Sequence, residues 1–334
     1  MEPVIQPVDR ELIKEELTSD KFIRNTRKGD NKIYEITYHN SPNTMRELGR
    51  LREISFRLAG GGTGKPLDID EFDTDIRYPY KQLIVWDPKD EEILGGYRYI
   101  HCTGLETKHL ATSELFSFSD KFIKEYMPYT IELGRSFIQP NYQSTNIRRK
   151  GLFALDNLWD GLGALMLRHP DIKFFFGKVT MYTSYHMSAR NTLLNFLNIY
   201  FPDNEKLVTP ITPLDYDSIN PYYGDLFKNL DYKDAYKIMS KAVRDLGEHI
   251  PPLINSYMNL SPNMMVFGTA INEHFGGVEE TGILVSIKDV YPEKIERYMT
   301  PLLALAEKFR TKWWLTTKEL AARAKRKKSK NKKR

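Results

Sequence analysis

Apolar and polar residues alternate in some stretches of this chain, whereas other stretches repeat apolar residues at helical spacing. Alternation predicts a strand at residues 32–38, and short runs rich in apolar residues predict strands at 82–86, 93–101, 129–138, 171–180 and 281–287. Helical spacing predicts helices at residues 9–17, 42–58, 151–168, 188–200 and 232–248, a further helix within 114–127, and a last helix from Pro301. Ser41 and Pro42 suit the N-cap and first turn of the second of these helices.

Composition indicates a folded protein whose basic charge is confined to one end. The chain has 334 residues, of which 41% are hydrophobic, as in globular proteins. Residues 323–334 carry nine of the 49 basic side chains, so the remaining 40 basic residues are set against 44 acidic ones. Because the body is slightly acidic, we expect no nucleic-acid partner.

The number of cysteines and the hydropathy of the chain indicate the cellular compartment of the protein. Cys102 is the single cysteine, so an internal disulfide is excluded and a reducing compartment is favoured. The first 30 residues are polar and lack the apolar core of a signal peptide. No stretch approaches the roughly 20 apolar residues that span a bilayer. We therefore expect a cytoplasmic protein, either soluble or peripheral on the inner face of the cytoplasmic membrane.

Charged side chains recur beside apolar runs at three points of the chain. These points hold Asp68, Asp70 and Asp73, then Arg98 directly after Gly95-Gly96-Tyr97, and then Glu132 and Arg135. An unpaired buried charge costs several kcal/mol, so such recurrence predicts a site. The three aspartates could begin a solvated helix, bind a cation or clamp an arginine, and the sequence leaves these alternatives open.

Two common kinds of site are excluded by spacing. The glycine-rich loop at 59–65 has Ala59 where a nucleotide-binding loop needs its first glycine, and Pro66 replaces the residue that holds magnesium. That loop is interpreted as a lid or turn beside the aspartates. The seven histidines show no metal-binding spacing, so we expect no metal site.

Taken in order, these segments resemble bacterial amino-acid N-acyltransferases of the GNAT superfamily. Members of that family start ornithine-lipid and glycine-lipid synthesis, are often labelled hemolysin-like, and are related to acyl-homoserine-lactone synthases. The resemblance covers about residues 33–298 and includes Arg52 and Phe56 in the second helix and the stretch 251–260. The N-terminal extension and the glycine-rich loop are most similar to the N-acylglycine synthase branch.

The resemblance implies a GNAT-like α/β (α+β) fold, with a mixed, twisted central sheet flanked by helices and a helical C-terminal extension. Five parts are expected along the chain. They are an N-terminal extension (1–31), a catalytic core (32–215), a C-terminal part of the acyltransferase (216–298), a terminal amphipathic helix (299–322) and a basic disordered tail (323–334).

The resemblance also implies a thioester donor in place of a permanently bound cofactor. The superfamily's phosphate-binding loop matches Arg148, Arg149, Lys150 and Gly151, which open a helix whose amides favour phosphate. The alternative is a solvated basic loop. Phe153 departs from the motif and would crowd a coenzyme A pyrophosphate. We therefore expect a 3-hydroxyacyl group on acyl carrier protein, with acyl-CoA as the alternative donor.

Amide formation suggests roles for the charged residues. An ammonium with a pKa of about 8 or above must lose a proton before it attacks a thioester, and Glu132 is the predicted base, directly or through water. The alternative is that Glu132 merely pairs with an arginine. Arg98 and Arg135 are predicted to clamp either the acceptor's carboxylate or the aspartates. Glu132 and Arg135 face opposite ways unless a β-bulge intervenes, and the family's strand commonly carries one.

The predicted function is transfer of a (3-hydroxy)fatty acyl group from acyl carrier protein to the α-amine of glycine or ornithine. Asp68, Asp70, Asp73, Arg52 and Phe56 are expected around the substrate. The basic tail, which follows Trp313-Trp314, is expected to bind anionic lipid or to steer the acidic carrier protein. Alternatives are an acyl-homoserine-lactone-like signal synthase and a non-catalytic, hemolysin-like lipid-binding protein.

Overall fold

The fold is seen in a computed structural model, which describes residues 1–143, 151–214 and 225–297 apart from the side chains of residues 151, 152 and 155. The described strands are β1 (Phe22–Asn25), β2 (Lys32–Ile36), β3 (Lys81–Asp87), β4 (Glu92–His101), β5 (Phe116–Phe118), β6 (Thr130–Ile138), β7 (Phe174–Met181), β8 (Val208–Pro210), β9 (Met265–Asn272) and β10 (Val278–Ser286). The described helices are α1 (Arg10–Glu16), α2 (Pro42–Ala59), α3 (Glu71–Thr74), α4 (Gly151–Arg168), α5 (Met187–Tyr200), α6 (Tyr232–Asp245) and α7 (Pro252–Met258).

Eight of these strands form one mixed sheet in the order β1-β2-β3-β4-β6-β7-β10-β9, and β5 pairs with β8 separately. Neighbouring strands of the large sheet are antiparallel except for β6 and β7, which run parallel. The predicted mixed sheet with flanking helices is therefore present. Because β9 and β10 belong to it, the predicted 32–215 and 216–298 parts share one sheet.

Adjacent glycines let β4 lie close to both of its neighbours. A Cβ atom on Gly95 would lie 2.4 Å from the Phe137 carbonyl oxygen of β6. A Cβ atom on Gly96 would lie 2.6 Å from the Leu83 carbonyl oxygen of β3. Any larger residue at either position would force the strands apart, which explains the Gly-Gly pair in an otherwise large-residue strand.

The sheet divides between β6 and β7. Their parallel pairing runs only from Thr130 opposite Phe174 to Leu133 opposite Gly177. Beyond that point β6 continues against β4, while β7 continues against β10 as far as Met181. The two neighbouring strands therefore diverge in the middle of the sheet.

Helices cover both faces. Leu158, Leu162 and Leu165 of α4 pack on one face against alternate residues of β4 and β6. On the same face, α5, α6 and α7 cover the β7-β10-β9 end. On the opposite face, α2 packs over β2, β3 and the end of β6, including Phe137.

The N-terminal segment contributes more than the single helix predicted for it. Strand β1, which the sequence analysis missed, extends the sheet at the β2 edge. Glu16, the last residue of α1, accepts hydrogen bonds from the Asn43 and Thr44 amides at 3.0 and 2.7 Å. Helix α2 begins at Pro42 as predicted, but Ser41 makes no side-chain cap bond, and the Glu16 carboxylate caps the helix in its place.

Two other regions differ from the predictions. Residues 114–127, predicted to contain a helix, do contain a helical segment, which is π-helical at Phe122–Tyr126, but they also hold strand β5, which was not predicted. Strand β9 was missed because Gly268 interrupts its apolar pattern. The φ angle of Gly268 is +85°, which lies in the left-handed region. The predicted last helix and basic tail lie outside the described residues.

Replacing Gly177 with alanine should destabilise the fold where β6 and β7 part. The new Cβ would lie 2.6 Å from the Leu133 carbonyl oxygen, so the strands must shift. We expect the free energy of unfolding, measured by urea denaturation, to fall by about 1–3 kcal/mol. Gly134→Ala is the matched control, since its Cβ would lie 3.5 Å from the nearest atom, in Arg98. Equal stability of the two variants would contradict this account of the close approach.

Candidate active site

A β-bulge in β6 turns Arg135 onto the same face of the sheet as Glu132. Gly96 pairs with Phe137 and Arg98 with Gly134, so two residues of β6 stand opposite one residue of β4. Arg135 is one of these two and has a φ of +50°, an uncommon left-handed conformation for a side-chain-bearing residue. The bulge that the sequence analysis required is therefore present.

Three arginines and three aspartates meet on this face in what we term the ionic cluster, which consists of Arg52, Asp68, Asp70, Asp73, Arg98 and Arg135. One Nη of Arg98 contacts both oxygens of Asp70, at 2.6 and 2.7 Å. Arg52 contacts Asp73 at 3.2 Å. Arg135 contacts Asp68 at 2.9 Å through Nε and Asp70 at 3.5 Å through Nη2. Positive and negative groups are equal in number, so the cluster is neutral.

The aspartates also begin a helix. Asp70 caps α3 by accepting from the Asp73 amide, and Asp73 accepts from the Asp70 amide in return. Asp68 and Asp73 are nevertheless fully buried, so the solvated alternative is wrong and the arginine-clamping alternative is correct. Burial alone would raise the pKa of Asp70, but Arg98 beside it holds that pKa below its ordinary value.

Glu132 lies beside this cluster in a separate hydrogen-bonded setting. Its carboxylate accepts from the Thr112 amide at 3.1 Å and from the Thr112 hydroxyl at 3.0 Å, and the Tyr80 hydroxyl lies near enough to favour its ionised form. Only 1% of the residue is exposed. Burial raises the pKa of Glu132 to about 7, despite these donors and the nearby Arg98. Such a pKa suits a general base at neutral pH.

A cleft of about 220 Å³ opens where β6 and β7 diverge. Its lining residues include Phe56 of α2, Arg135 at the bulge, Lys178 of β7 and Glu280 of β10. Residues 251–254, which lie on the opposite face of the sheet, line it as well. The cleft is therefore lined by residues from both faces of the sheet, at the point where the two strands part.

Lys178 and Glu280 form an ion pair in the cleft that the sequence analysis missed. Their side chains are 10% and 3% exposed. Glu280 also accepts from the Thr180 hydroxyl and from the Asn272 side-chain amide, each at 3.1 Å. The available signal was Lys178 itself, a charge directly after the apolar run 174–177, but its partner lies about 100 residues away in sequence.

The predicted site residues thus fall into four groups. The ionic cluster brings together six of them, of which Arg135 also lines the cleft. Phe56 lies in the cleft, with its ring 5.1 Å from the Phe275 ring and edge-on to it. Glu132 adjoins the cluster but is not among the residues that line the cleft. Arg148, Arg149 and Lys150 lie outside the described residues, and Gly151 begins α4.

The glycine-rich loop forms a turn tied to α2. Glu53 accepts from the amide and hydroxyl of Thr63, at 3.0 and 2.8 Å, and from the Gly64 amide at 2.8 Å. These bonds hold the loop at the C-terminal end of α2, so the turn interpretation fits it better than a lid.

One set of metal-ligating residues comes together in the described part of the chain. It consists of His101, His169 and Asp171, whose ligand atoms lie within 4.8 Å of one another. His101 contacts Asp171 at 3.2 Å, and the two imidazole rings lie 5.0 Å apart. The spacing of the histidines in the sequence did not predict that these three side chains would meet. Separately, no helix among the described residues is both long and apolar enough to cross a membrane.

Comparison with known sequences assigns the chain to a family. A family model described as "Acetyltransferase (GNAT) domain" matches residues 51–150. A protein of Bacteroides thetaiotaomicron named "Glycine N(alpha)-acyltransferase" is 56% identical over 304 residues, which cover 90% of each chain. This chain belongs to the glycine N(alpha)-acyltransferase family. A namesake from Phocaeicola vulgatus is 54% identical over 304 residues, covering 90% of this chain and 93% of that relative.

The predicted GNAT fold and acyltransferase activity are thereby confirmed: the chain is an N-acyltransferase. Two solved structures are also similar. "Crystal Structure of the AHL Synthase LasI" is 12% identical, covers 45% of this chain and 72% of its own, and has a TM-score of 0.30. The CoA-dependent acyl-homoserine lactone synthase MesI is 14% identical, covers 80% and 92%, and has a TM-score of 0.35. Likeness this low carries no argument about activity.

Glu132→Gln should change how the stability of this acyltransferase depends on pH. A carboxyl whose folded pKa is raised loses its stabilising contribution as pH rises through that value, which here is about 7. Glutamine does not titrate, so from pH 5 to pH 8 the variant should gain about 1–3 kcal/mol in unfolding free energy relative to wild type. Thermal and urea denaturation at both pH values measure this gain. A difference that stays constant with pH would contradict the raised pKa.

Proposed function

We propose that this N-acyltransferase moves a fatty acyl group from a thioester to the α-amine of glycine. The observation that best supports this function is the cleft where β6 and β7 diverge. Arg135 lines this cleft, and so do the charged side chains of Lys178 and Glu280. Because residues from both faces line this cleft, an extended thioester would approach from one face and a small amine from the other. The names of the relatives support glycine as the acceptor.

The reaction is a direct displacement. The ammonium of glycine loses one proton, and its lone pair then attacks the thioester carbonyl carbon. A C–N bond forms, the tetrahedral oxyanion collapses, and the C–S bond breaks. The leaving sulfur takes up a proton as the attacking nitrogen loses its second one, which gives an amide, a free thiol and one proton released overall. No covalent enzyme intermediate is required, and Cys102 is buried away from water.

We assign the base to Glu132, acting through a relay. Its pKa of about 7 allows it to be ionised and still accept a proton near neutral pH. Because its oxygens are engaged by Thr112 and Tyr80, the proton would reach it through a hydroxyl or a water molecule. Backbone amides at the β6 bulge are not needed for regular pairing, so they are the proposed donors to the oxyanion.

We propose a different role for each of the three arginines. Arg98 is 2% exposed and held by Asp70 and Asp73, so its part is to fix the acidic residues behind the cleft. Arg135 reaches the cleft and lies over the Phe275 ring at 4.3 Å, where its charge would stabilise the oxyanion. Arg52, fully buried between Asp73 and Gln82, supports α2.

The donor proposed is a 3-hydroxyacyl group on acyl carrier protein, in the first step of an aminolipid synthesis. Support comes from the sequence alone: Phe153 stands where a smaller residue would make room for a coenzyme A pyrophosphate. The basic stretch that ends at residue 150 would then face a single phosphodiester, which needs fewer donors.

Incubation of the purified enzyme with glycine and an acyl thioester tests the proposed function. We expect N-acylglycine by mass spectrometry, with faster turnover from the carrier-protein thioester than from acyl-CoA. Glu132→Gln and Arg135→Ala should each lower kcat/KM by at least about 100-fold while the circular-dichroism spectrum stays unchanged. Normal turnover by either variant would remove that residue from the chemistry.

Lipid analysis of cells that overproduce the chain separates the alternatives. N-acylglycine supports the proposal, whereas a lyso-ornithine lipid would assign another acceptor. A lactone would select the signal-synthase alternative, and no new product would favour a non-catalytic lipid-binding protein.

We further propose that the basic tail brings the enzyme to anionic lipid. Nine basic residues near a surface would contribute roughly 1 kcal/mol each. Sedimentation with anionic liposomes should pellet the full chain and leave a chain ending at Ala322 in solution, with neutral liposomes as the control. Equal pelleting of the two chains would contradict membrane binding by the tail, and tail-dependent binding to carrier protein alone would favour steering.

A further inference from the structure

We propose that Lys178 and Glu280 bind the two charged ends of the amino-acid acceptor, Lys178 its carboxylate and Glu280 its ammonium. This inference rests on the proposed function and adds the residues that select a zwitterion. Both side chains line the cleft, and both come from strands on the β7 side of the opening. In the register of β7 and β10, Lys178 stands opposite Gly282 and Thr180 opposite Glu280, so the two charges project from the same face.

The ionic cluster is less suited to these contacts, because its charges are already matched within it. Its three arginines are matched by three aspartates, and Arg98 and Arg52 do not line the cleft. Arg135 lines the cleft but already contacts Asp68 and Asp70. A carboxylate bound at Nε or Nη2 of Arg135 would have to displace an aspartate from a buried ion pair, which is costly. In this proposal Lys178 takes the role of binding the acceptor's carboxylate, which the sequence analysis had left open for an arginine.

Lys178 has donors available for a second anion. An ammonium has three N–H donors, and the described contact of its Nζ is to Glu280. Glu280 is held in place by Thr180 and Asn272, so it keeps its orientation when the contact with Lys178 loosens. Burial disfavours the ionised form of Glu280, but Lys178 and then Arg135 hold its pKa below the ordinary value, so it is a carboxylate at neutral pH.

A zwitterion is the ligand that such a pair accepts at least electrostatic cost. The pair is neutral in sum, and an amino acid adds one charge of each sign, so each charge finds an opposite partner and the cleft remains neutral. A simple amine or a simple acid would leave one buried charge unmatched. The same contacts would fix the direction of the α-nitrogen, which is what attack on a thioester carbon requires.

A purely structural ion pair is the alternative, and the same strand offers a matched control for it. Glu279, the preceding residue of β10, pairs with Arg190 of α5, and both side chains are 12% exposed. Because successive residues of a strand alternate in direction, this second pair lies on the other face, and neither member lines the cleft. Glu279→Gln thus removes a comparable charge without touching the proposed subsite.

The test compares Lys178→Met, Glu280→Gln, the double variant and Glu279→Gln in steady-state kinetics. At saturating donor, both single variants should raise the KM for glycine by at least about 10-fold, with the KM for the donor unchanged. The double variant leaves no unpaired charge, so it should melt near the wild-type temperature and still show the raised KM. Glu279→Gln should leave both KM values within about twofold of wild type. Glycinamide, which lacks the carboxylate, should be a poorer acceptor than glycine for wild type but not for Lys178→Met.

Failure of this inference is distinguishable from failure of the proposed function. Formation of N-acylglycine by Lys178→Met and the double variant with wild-type KM for glycine would overturn the inference alone. Equal increases in the KM values for glycine and donor would also overturn it, since they indicate general damage to the cleft. Calorimetric titration of glycine measures binding without turnover. If the wild-type enzyme binds glycine, the Lys178→Met variant does not, and no N-acylglycine forms, only the proposed function is contradicted. If the wild-type enzyme neither binds glycine nor turns it over, both the inference and the proposed function are contradicted.

Discussion

One extra residue in β6 sets the arrangement of this active site. Without the bulge, Arg135 would face α4 and the apolar residues beneath it, and Asp68 would be a buried carboxylate without that cation. With the bulge, the Arg135 guanidinium turns towards the aspartates and the edge of the cleft. The left-handed backbone conformation of Arg135 is energetically unfavourable, and the ion pairs that Arg135 forms with Asp68 and Asp70 offset that cost.

The charged side chains of the site form two groups, and each group contains equal numbers of positive and negative charges. The ionic cluster is neutral and largely buried, and it holds α2, the segment 68–73 and the bulge in fixed relation. Lys178 and Glu280 form a second neutral pair on the far wall of the cleft. A buried cluster of this kind contributes geometry more than stability, because desolvation offsets much of the attraction between its members. The divergence of β6 and β7 then places an opening between two rigid, charged walls.

Individual strands and residues show which features of the fold and the site could be predicted from the sequence. Alternation located β2, and runs rich in apolar residues located β3, β4, β6, β7 and β10, which are largely buried. Both patterns missed β9, which contains a glycine in the left-handed region, and β1, which lies at a polar edge. Spacing alone put Glu132 and Arg135 on opposite faces, and only the bulge brings them to one. Glu280 was missed because its partners in β7, Lys178 and Thr180, lie about 100 residues away in sequence and reach it only through the pairing of β7 with β10.

The sequence by itself determined the family, the type of sheet and the charged residues that were candidates for the site, since these depend on local pattern and on motifs with fixed residue order. Tertiary structure alone decided which charges neutralise one another and which face the cleft. The physical reason is that the energy of a charge depends on its burial and on neighbours within a few ångströms. In this protein those neighbours come from α2, β4, β6, β7 and β10, whose contacting residues lie far apart in the chain.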